Sequence, residues 1–313
     1  MTIHPGIALT GASVAVLALA GCATPSDANQ EASDGTVRIV ASTSVYGDIA
    51  QVVAGGGAEV TSIITNAAQD PHSFEASAQD QLAVVRADLV IANGGGYDEF
   101  LNTLLDASSN SDTAVITAVD VSGLLPEEEG HEEEGHDHIE GFNEHVWYDF
   151  AATALVAKEI AHELGELDPV NKAAYESNYR AFADDIEGLE RQAAQLQDEL
   201  GGTGVAITEP VPVYLLEAIG LVNETPDEFS ESVEEGTDLS ARVLAETLGL
   251  LAGGEVEMLA YNEQVSSPET DQVRAAAEDA GIEVVNFTET LPEGQDYVSW
   301  MRGNLDAVSA ALG

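Results

Sequence analysis

From residue 36 onward, short apolar runs alternate with longer stretches of helical pattern. Val37 to Ala41, Val60 to Ile64, Asp88 to Ala92 and Ala114 to Thr117 read as short strands buried on both faces. Between them, Val45 to Val53, Ala78 to Val85 and Tyr97 to Leu105 read as helices. The alternation returns late in the chain, with strands predicted at Val205 to Thr208, Val256 to Tyr261 and Ile282 to Phe287. The matching helices fall near Val211 to Ile219, Ser240 to Leu250, Glu269 to Ala280 and Tyr297 to Ala311. A βα repeat implies mostly parallel sheets covered by helices, so the expected fold is α/β with two lobes. Between the two sets, Ala151 to Leu164 and Pro169 to Leu200 are charge-laced and almost free of glycine. Asp168-Pro169 reads as a helix start, and the stretch after it as a long helix that joins the lobes and limits hinge motion between them.

The segment before residue 36 has a different pattern. Ile7 to Ala20 is apolar but too short to span a bilayer, and it runs into Leu19-Ala20-Gly21-Cys22. This resembles a bacterial lipoprotein signal with its lipobox, although Met1 to Gly6 carries no Lys or Arg. The resemblance implies a lipid on Cys22, an anchor in the membrane and an extracytoplasmic protein. An ordinary secretory signal with an incidental cysteine is the alternative. Cys22 is the only cysteine, so neither an intramolecular disulfide nor a thiolate cluster is available. The expected organisation is a signal peptide over 1–21, a flexible tether over 22–35 and an N-terminal lobe over 36–149, then connecting helices over 150–200 and a C-terminal lobe over 201–313.

Charge narrows the partners. The 313 residues hold 57 Asp plus Glu against 9 Lys plus Arg, a net charge of −48. Nucleic acid is excluded as a partner, because phosphate binding draws on clustered Lys and Arg. With 44% hydrophobic residues the chain can still bury a core. Most of the acid is expected on outer faces, as in proteins adapted to high salt. Gly55 to Gly57 and Gly94 to Gly96 lack the Lys-Ser/Thr of a phosphate loop and read as turns beside strand ends.

Candidate chemistry lies at the carboxyl ends of the predicted strands, where open α/β sheets place ligand sites. His72 follows Asp70-Pro71, His145 precedes Val146-Trp147, Glu209 ends one strand and Glu289 follows another. Two neutral imidazoles and two carboxylates would neutralise a divalent cation and suit Zn2+ or Mn2+. Each residue also has a plainer explanation. His72 could be a surface or capping residue, His145 a satisfied core histidine, Glu209 a helix cap before Pro210, and Glu289 one solvated acid among many. His4 and His162 read as signal-peptide and helix-surface residues.

The arrangement resembles the zinc- and manganese-binding lipoproteins of ABC importers, the cluster A-I solute-binding proteins, over nearly the whole chain from Cys22. Asp70-Pro71-His72-Ser73-Phe74-Glu75 is similar to the family's D-P-H-x-aromatic-E motif. Glu144-His145-Val146-Trp147-Tyr148-Asp149 is similar to its P-H-V-W-x-D motif, with Glu144 where proline is usual. Ile207-Thr208-Glu209, with Tyr214 and Gly220, and Phe287-Thr288-Glu289, before Asp296-Tyr297, resemble the segments that supply the third and fourth ligands. The fourth is usually Asp, so Glu289 is a departure. The resemblance implies that His72, His145, Glu209 and Glu289 hold transported Zn2+, with Mn2+ as the alternative, in a monomer that serves an ABC permease and its ATPase.

An acidic His-rich insertion over 127–140 carries His131, His136 and His138, and zinc members of the family often have such a loop there. It is expected to capture or sense metal weakly near the cleft, or else to be a solvated acidic insertion. A secreted zinc hydrolase is the second function class. Against it, no H-E-x-x-H is present, and the candidate ligands divide between two lobes. Because imidazoles must be neutral and carboxylates ionised to bind metal, affinity is expected to fall as pH drops through about 6.5 and again near about 4.3.

Overall fold

The computed structural model describes residues 36–66, 68–125 and 141–313. The signal segment, Cys22, the tether and the insertion with His131, His136 and His138 lie outside the described residues. The first lobe runs β1 (Val37–Thr43), α1 (Ser44–Ala54), β2 (Ala58–Ile64), α2 (Ala78–Arg86), β3 (Leu89–Ala92), α3 (Glu99–Asp106), β4 (Ala114–Thr117) and α4 (Ala118–Val121). A single 3-10 turn, Val146–Tyr148, leads into α5 (Phe150–Leu167) and α6 (Lys172–Leu200). The second lobe follows as β5 (Gly204–Ile207), α7 (Val213–Ala218), β6 (Val222–Asn223), α8 (Asp227–Glu234), α9 (Ala241–Gly253), β7 (Met258–Asn262), α10 (Pro268–Ala280), β8 (Glu283–Phe287) and α11 (Tyr297–Leu312).

Each lobe holds one parallel sheet, and the two share a topology: β2-β1-β3-β4 and β6-β5-β7-β8. The chain reverses direction across the sheet between β1 and β3 and again between β5 and β7, which opens a crevice at the carboxyl ends of those strands. The apolar runs serve two faces because side chains alternate along a strand. Ile39, Ala41, Leu89 and Ile91 face inward, and so do Val205, Ile207, Met258 and Ala260. Val40 and Val90 face outward onto a satellite core with Leu101 and Leu104 of α3. Ala206, Leu259 and Tyr261 do the same beneath α9 and α10, against Val243 and Val273.

The inward faces of both sheets belong to one continuous core. It runs from Ile39 through Trp147, Ile160, Phe182 and Ile186 to Phe287 and Trp300. Hydrogen bonds cross between the lobes inside it. The Tyr148 hydroxyl donates to the Thr288 carbonyl at 2.7 Å, and the Tyr297 hydroxyl donates to the Trp147 carbonyl at 2.6 Å. At the rim, the Asp48 carboxylate accepts from the Tyr297 amide at 2.8 Å and Ser44 Oγ from the Leu291 amide at 3.1 Å.

The connecting helix α6 has 29 residues and is therefore about 44 Å long. It starts at Lys172, three residues past the expected point. Asp168 caps the C-terminus of α5, and its carboxylate accepts from the Tyr175 hydroxyl at 2.8 Å. The Asp-Pro pair therefore marks a stop and a turn before the next helix, a common place for proline. Strand β6 and helices α4 and α8 are additions to the predicted elements: the strand has only two residues, α4 has four, and α8 has few apolar positions to mark it. No helix among the described residues is long and apolar enough to cross a membrane.

Candidate metal centre

His72 sits in the loop after β2, and Asp70 shapes that loop. Its carboxylate accepts from the His72 amide at 2.9 Å and from Ser73 Oγ at 2.7 Å. The ring of His72 stands edge-on to Tyr97, with centroids 5.0 Å apart. His145 is 1% exposed and immediately precedes the 3-10 turn. Its Nδ1 lies 2.8 Å from Asn143 Oδ1, an acceptor, so the proton is assigned to Nδ1 and the lone pair to Nε2. Asn143 is tied to the second lobe: its Nδ2 donates to the Pro210 carbonyl at 3.0 Å, and its carbonyl accepts from the Tyr214 hydroxyl at 2.7 Å.

Glu209 and Glu289 enter from the second lobe and are 3% and 2% exposed. Glu209 caps no helix, since α7 begins at Val213 with no side-chain cap. Asn262, at the end of β7, holds the two carboxylates together. Its Nδ2 donates to Glu209 Oε2 at 2.5 Å and to Glu289 Oε1 at 2.8 Å. Glu289 Oε2 accepts from the Tyr97 hydroxyl at 3.2 Å, and its amide donates to Gln264 Oε1 at 2.6 Å.

One ligand atom each from His72, His145 and Glu289 lies within 4.8 Å of the others, close enough for a single ion. Glu209 stands outside that group but is joined to it through Asn262, and its Oε1 accepts no hydrogen bond from the described residues. Thus three of the four predicted ligands converge, and the fourth is linked to Glu289 by the two hydrogen bonds of Asn262. His162 is exposed on α5, as expected of a surface residue.

Burial dominates the electrostatics. It pushes the Glu209 carboxyl up to about 8, against the pull of Asn262, with the Glu289 and Asp70 charges adding to the rise. Burial likewise pushes Glu289 up to about 7, against hydrogen bonds from Asn262 and Tyr97. A cation arriving between them therefore displaces protons near neutral pH.

Sequence reasoning missed Tyr97, Asn262, Gln264 and Glu234. Tyr97 directly follows the glycines at 94–96, all of which have positive φ. The loop is pinned by Asp98, whose carboxylate accepts from the Asn93 amide at 2.6 Å and the Gly94 amide at 2.9 Å. Those glycines are a tight turn beside a strand end, as the sequence suggested. Asn262 ends the strand at the second sheet's crevice, a position that could have singled it out. Glu234, at the end of α8, lies 3.5 Å from His145 Nδ1 through its Oε1.

Two parallel-sheet lobes closed around buried nitrogen and oxygen donors define a solute-binding protein that takes a metal cation. Residues 39–311 match the family described as ZnuA, zinc-uptake complex component A periplasmic, and the chain belongs to that family. It is a metal-binding substrate-binding component of an ABC transporter, and the hydrolase alternative is set aside. The chain is 28% identical to the manganese ABC transporter substrate-binding lipoprotein scaA of Streptococcus gordonii, covering 96% of both sequences. It is 27% identical to the iron ABC transporter substrate-binding lipoprotein MtsA of Streptococcus pyogenes serotype M1, covering 97% of both. Its fold resembles that of FpvC of Pseudomonas aeruginosa in complex with Mn2+, with a TM-score of 0.71 at 24% identity over 88% of this chain and 98% of that one. A crystal structure of ZnuA aligns with a TM-score of 0.70 at 21% identity, covering 89% of this chain and all of its own.

Proposed function

We propose that the chain captures one first-row divalent cation with His72, His145, Glu289 and Glu209, and delivers it to an ABC permease driven by its ATPase. The observation that carries this reading is the convergence of two imidazoles and a carboxylate within 4.8 Å, contributed by both lobes. Capture exchanges protons on Glu209 and Glu289 for the ion, while Asn143 and Asn262 keep the ligands oriented. Zinc is favoured, since a nitrogen and oxygen donor set binds it more tightly than manganese. Manganese is the second reading, favoured by the wealth of carboxylate in the cleft and by the metals named for the streptococcal relatives. The protein works as an extracytoplasmic monomer, tethered through lipid on Cys22. Residues 127–140 add weak metal equivalents without forming the tight site.

Competitive titration of metal-free protein with Zn2+, Mn2+ and Fe2+, with elemental analysis of protein purified without added metal, tests the reading. One tight equivalent is expected, lost in His72→Ala and in His145→Ala. Tight stoichiometric binding that survives both substitutions would exclude the assignment.

A further inference from the structure

The cleft carries more acid than one dication neutralises. Besides Glu209 and Glu289 it holds Glu144, which is 3% exposed, and Glu234, whose side chain is 10% exposed. One ligand atom each from His72, Glu144 and Glu234 lies within 4.8 Å of the others, the same limit that the group of His72, His145 and Glu289 meets. The two groups share His72 alone.

Both extra carboxylates are built into place. Asn93 Nδ2 donates to the Glu144 carbonyl at 3.0 Å. The Glu144 Cβ packs against Gly95, whose φ is +67° and where an added methyl would stand 3.2 Å from it. Glu234 sits in the last turn of α8, where the helix dipole disfavours an acid. Its Oε1 accepts no hydrogen bond from the described residues, although it lies 3.5 Å from His145 Nδ1. Helix stability does not account for a carboxylate buried there, and a 3.5 Å approach to a neutral imidazole offsets little of the cost of burying it. An imidazole nitrogen and two carboxylate oxygens form an open donor set suited to a partly hydrated first-row dication.

We propose that His72, Glu144 and Glu234 form a transfer subsite, occupied by the cation as it moves between solvent and the tight site. The proposal rests on the metal-capture reading above. A neutral imidazole has one lone pair, so His72 serves one position at a time and the two sites are successive stations for a single ion. His72 is only partly buried, whereas His145 and Glu289 are 1% and 2% exposed, which places the shared ligand at the entrance. Passage then exchanges ligands around His72 without stripping the ion of all its donors at once.

The test is stopped-flow binding of Zn2+ to the metal-free full chain and release to a chelator, followed through Trp147, whose ring lies 5.1 Å from that of His145. High salt suppresses long-range steering. In Glu144→Gln/Glu234→Gln, both association and dissociation are expected to slow by about tenfold or more, because a station on the path lowers the barrier in both directions. Rates within twofold of the parent protein overturn the proposal. So does dissociation that is unchanged or faster, which would make these residues ordinary ligands or a source of attraction. Crystals of His145→Ala soaked in Mn2+ supply the second readout. An ion bound by His72, Glu144 and Glu234 is expected there, and an ion elsewhere or none overturns the proposal. Failure of the capture reading is a separate result: parent crystals with no ion against His145 and Glu289.

Discussion

Asn262 is the most informative single residue to remove. It is 2% exposed, and its amide nitrogen bridges the two acidic ligands at 2.5 and 2.8 Å. Asn262→Ala deletes both donors. Outer-shell partners of this kind are worth about 10–100-fold in metal affinity, or about 1.4–2.7 kcal/mol. Part of the loss should depend on pH. The bridge pulls down carboxyls that burial has raised to about 8 and about 7, so removing it raises both. In the variant more of Glu209 and Glu289 is protonated near pH 7, and the cation has more protons to displace. The affinity deficit should therefore be largest near neutrality and shrink at about pH 9 and above, where proton competition fades. Chelator-competition titrations at the two pH values measure it, and calorimetry in buffers of different ionisation enthalpy counts the protons released. Affinity within twofold of the parent at pH 7, or a deficit identical at both pH values, would refute the argument.

Raised carboxyls also bear on stability. Glu209 and Glu289 favour the folded, metal-free protein most below their usual value of 4.5, and that contribution is lost as pH rises through about 7 and about 8. The melting temperature in chelator should accordingly fall between pH 5 and 9 while the loaded protein changes less; a flat metal-free profile would contradict this. By the same titrations, metal affinity should begin to weaken below about pH 8, well above the value near 4.3 that unperturbed carboxylates imply. Tyr148→Phe removes a fully buried donor to the Thr288 carbonyl and should cost about 1–3 kcal/mol in urea unfolding. A loss below about 0.5 kcal/mol would mean that water or a neighbour satisfies that carbonyl. With a net charge of −48, the melting temperature should climb from low to molar KCl, and no change would count against surface self-repulsion.

The two histidines stand out in the sequence because each lies in a short, specific motif, His72 in the loop after a predicted strand and His145 just before the connecting helices. The strands themselves were legible because parallel strands buried on both faces leave unbroken apolar runs. Glu234 was not, being one acid among 57 on a helix with little periodicity. Glu144 showed only as an oddity where proline was expected, and its burial beside His72 gives that oddity a physical setting. Asn262 and Tyr97 carry no local pattern, because their contacts to Glu289 span 27 and 192 residues of chain. The shared core was also hidden: alternation tells which side chains face inward, but not that both sheets face the same interior.

That shared core, together with α6, has a consequence at the level of uptake. A binding protein whose lobes are fused along one interior is expected to present much the same outer surface whether empty or loaded. Empty copies are then expected to queue at the permease beside loaded ones. When metal is scarce, raising the amount of this protein in the cell should slow import, because the added copies are mostly empty and occupy the doorway. Uptake of radioactive metal measured against expression level would show the downturn, and a rate that only rises would indicate that the permease tells empty from full.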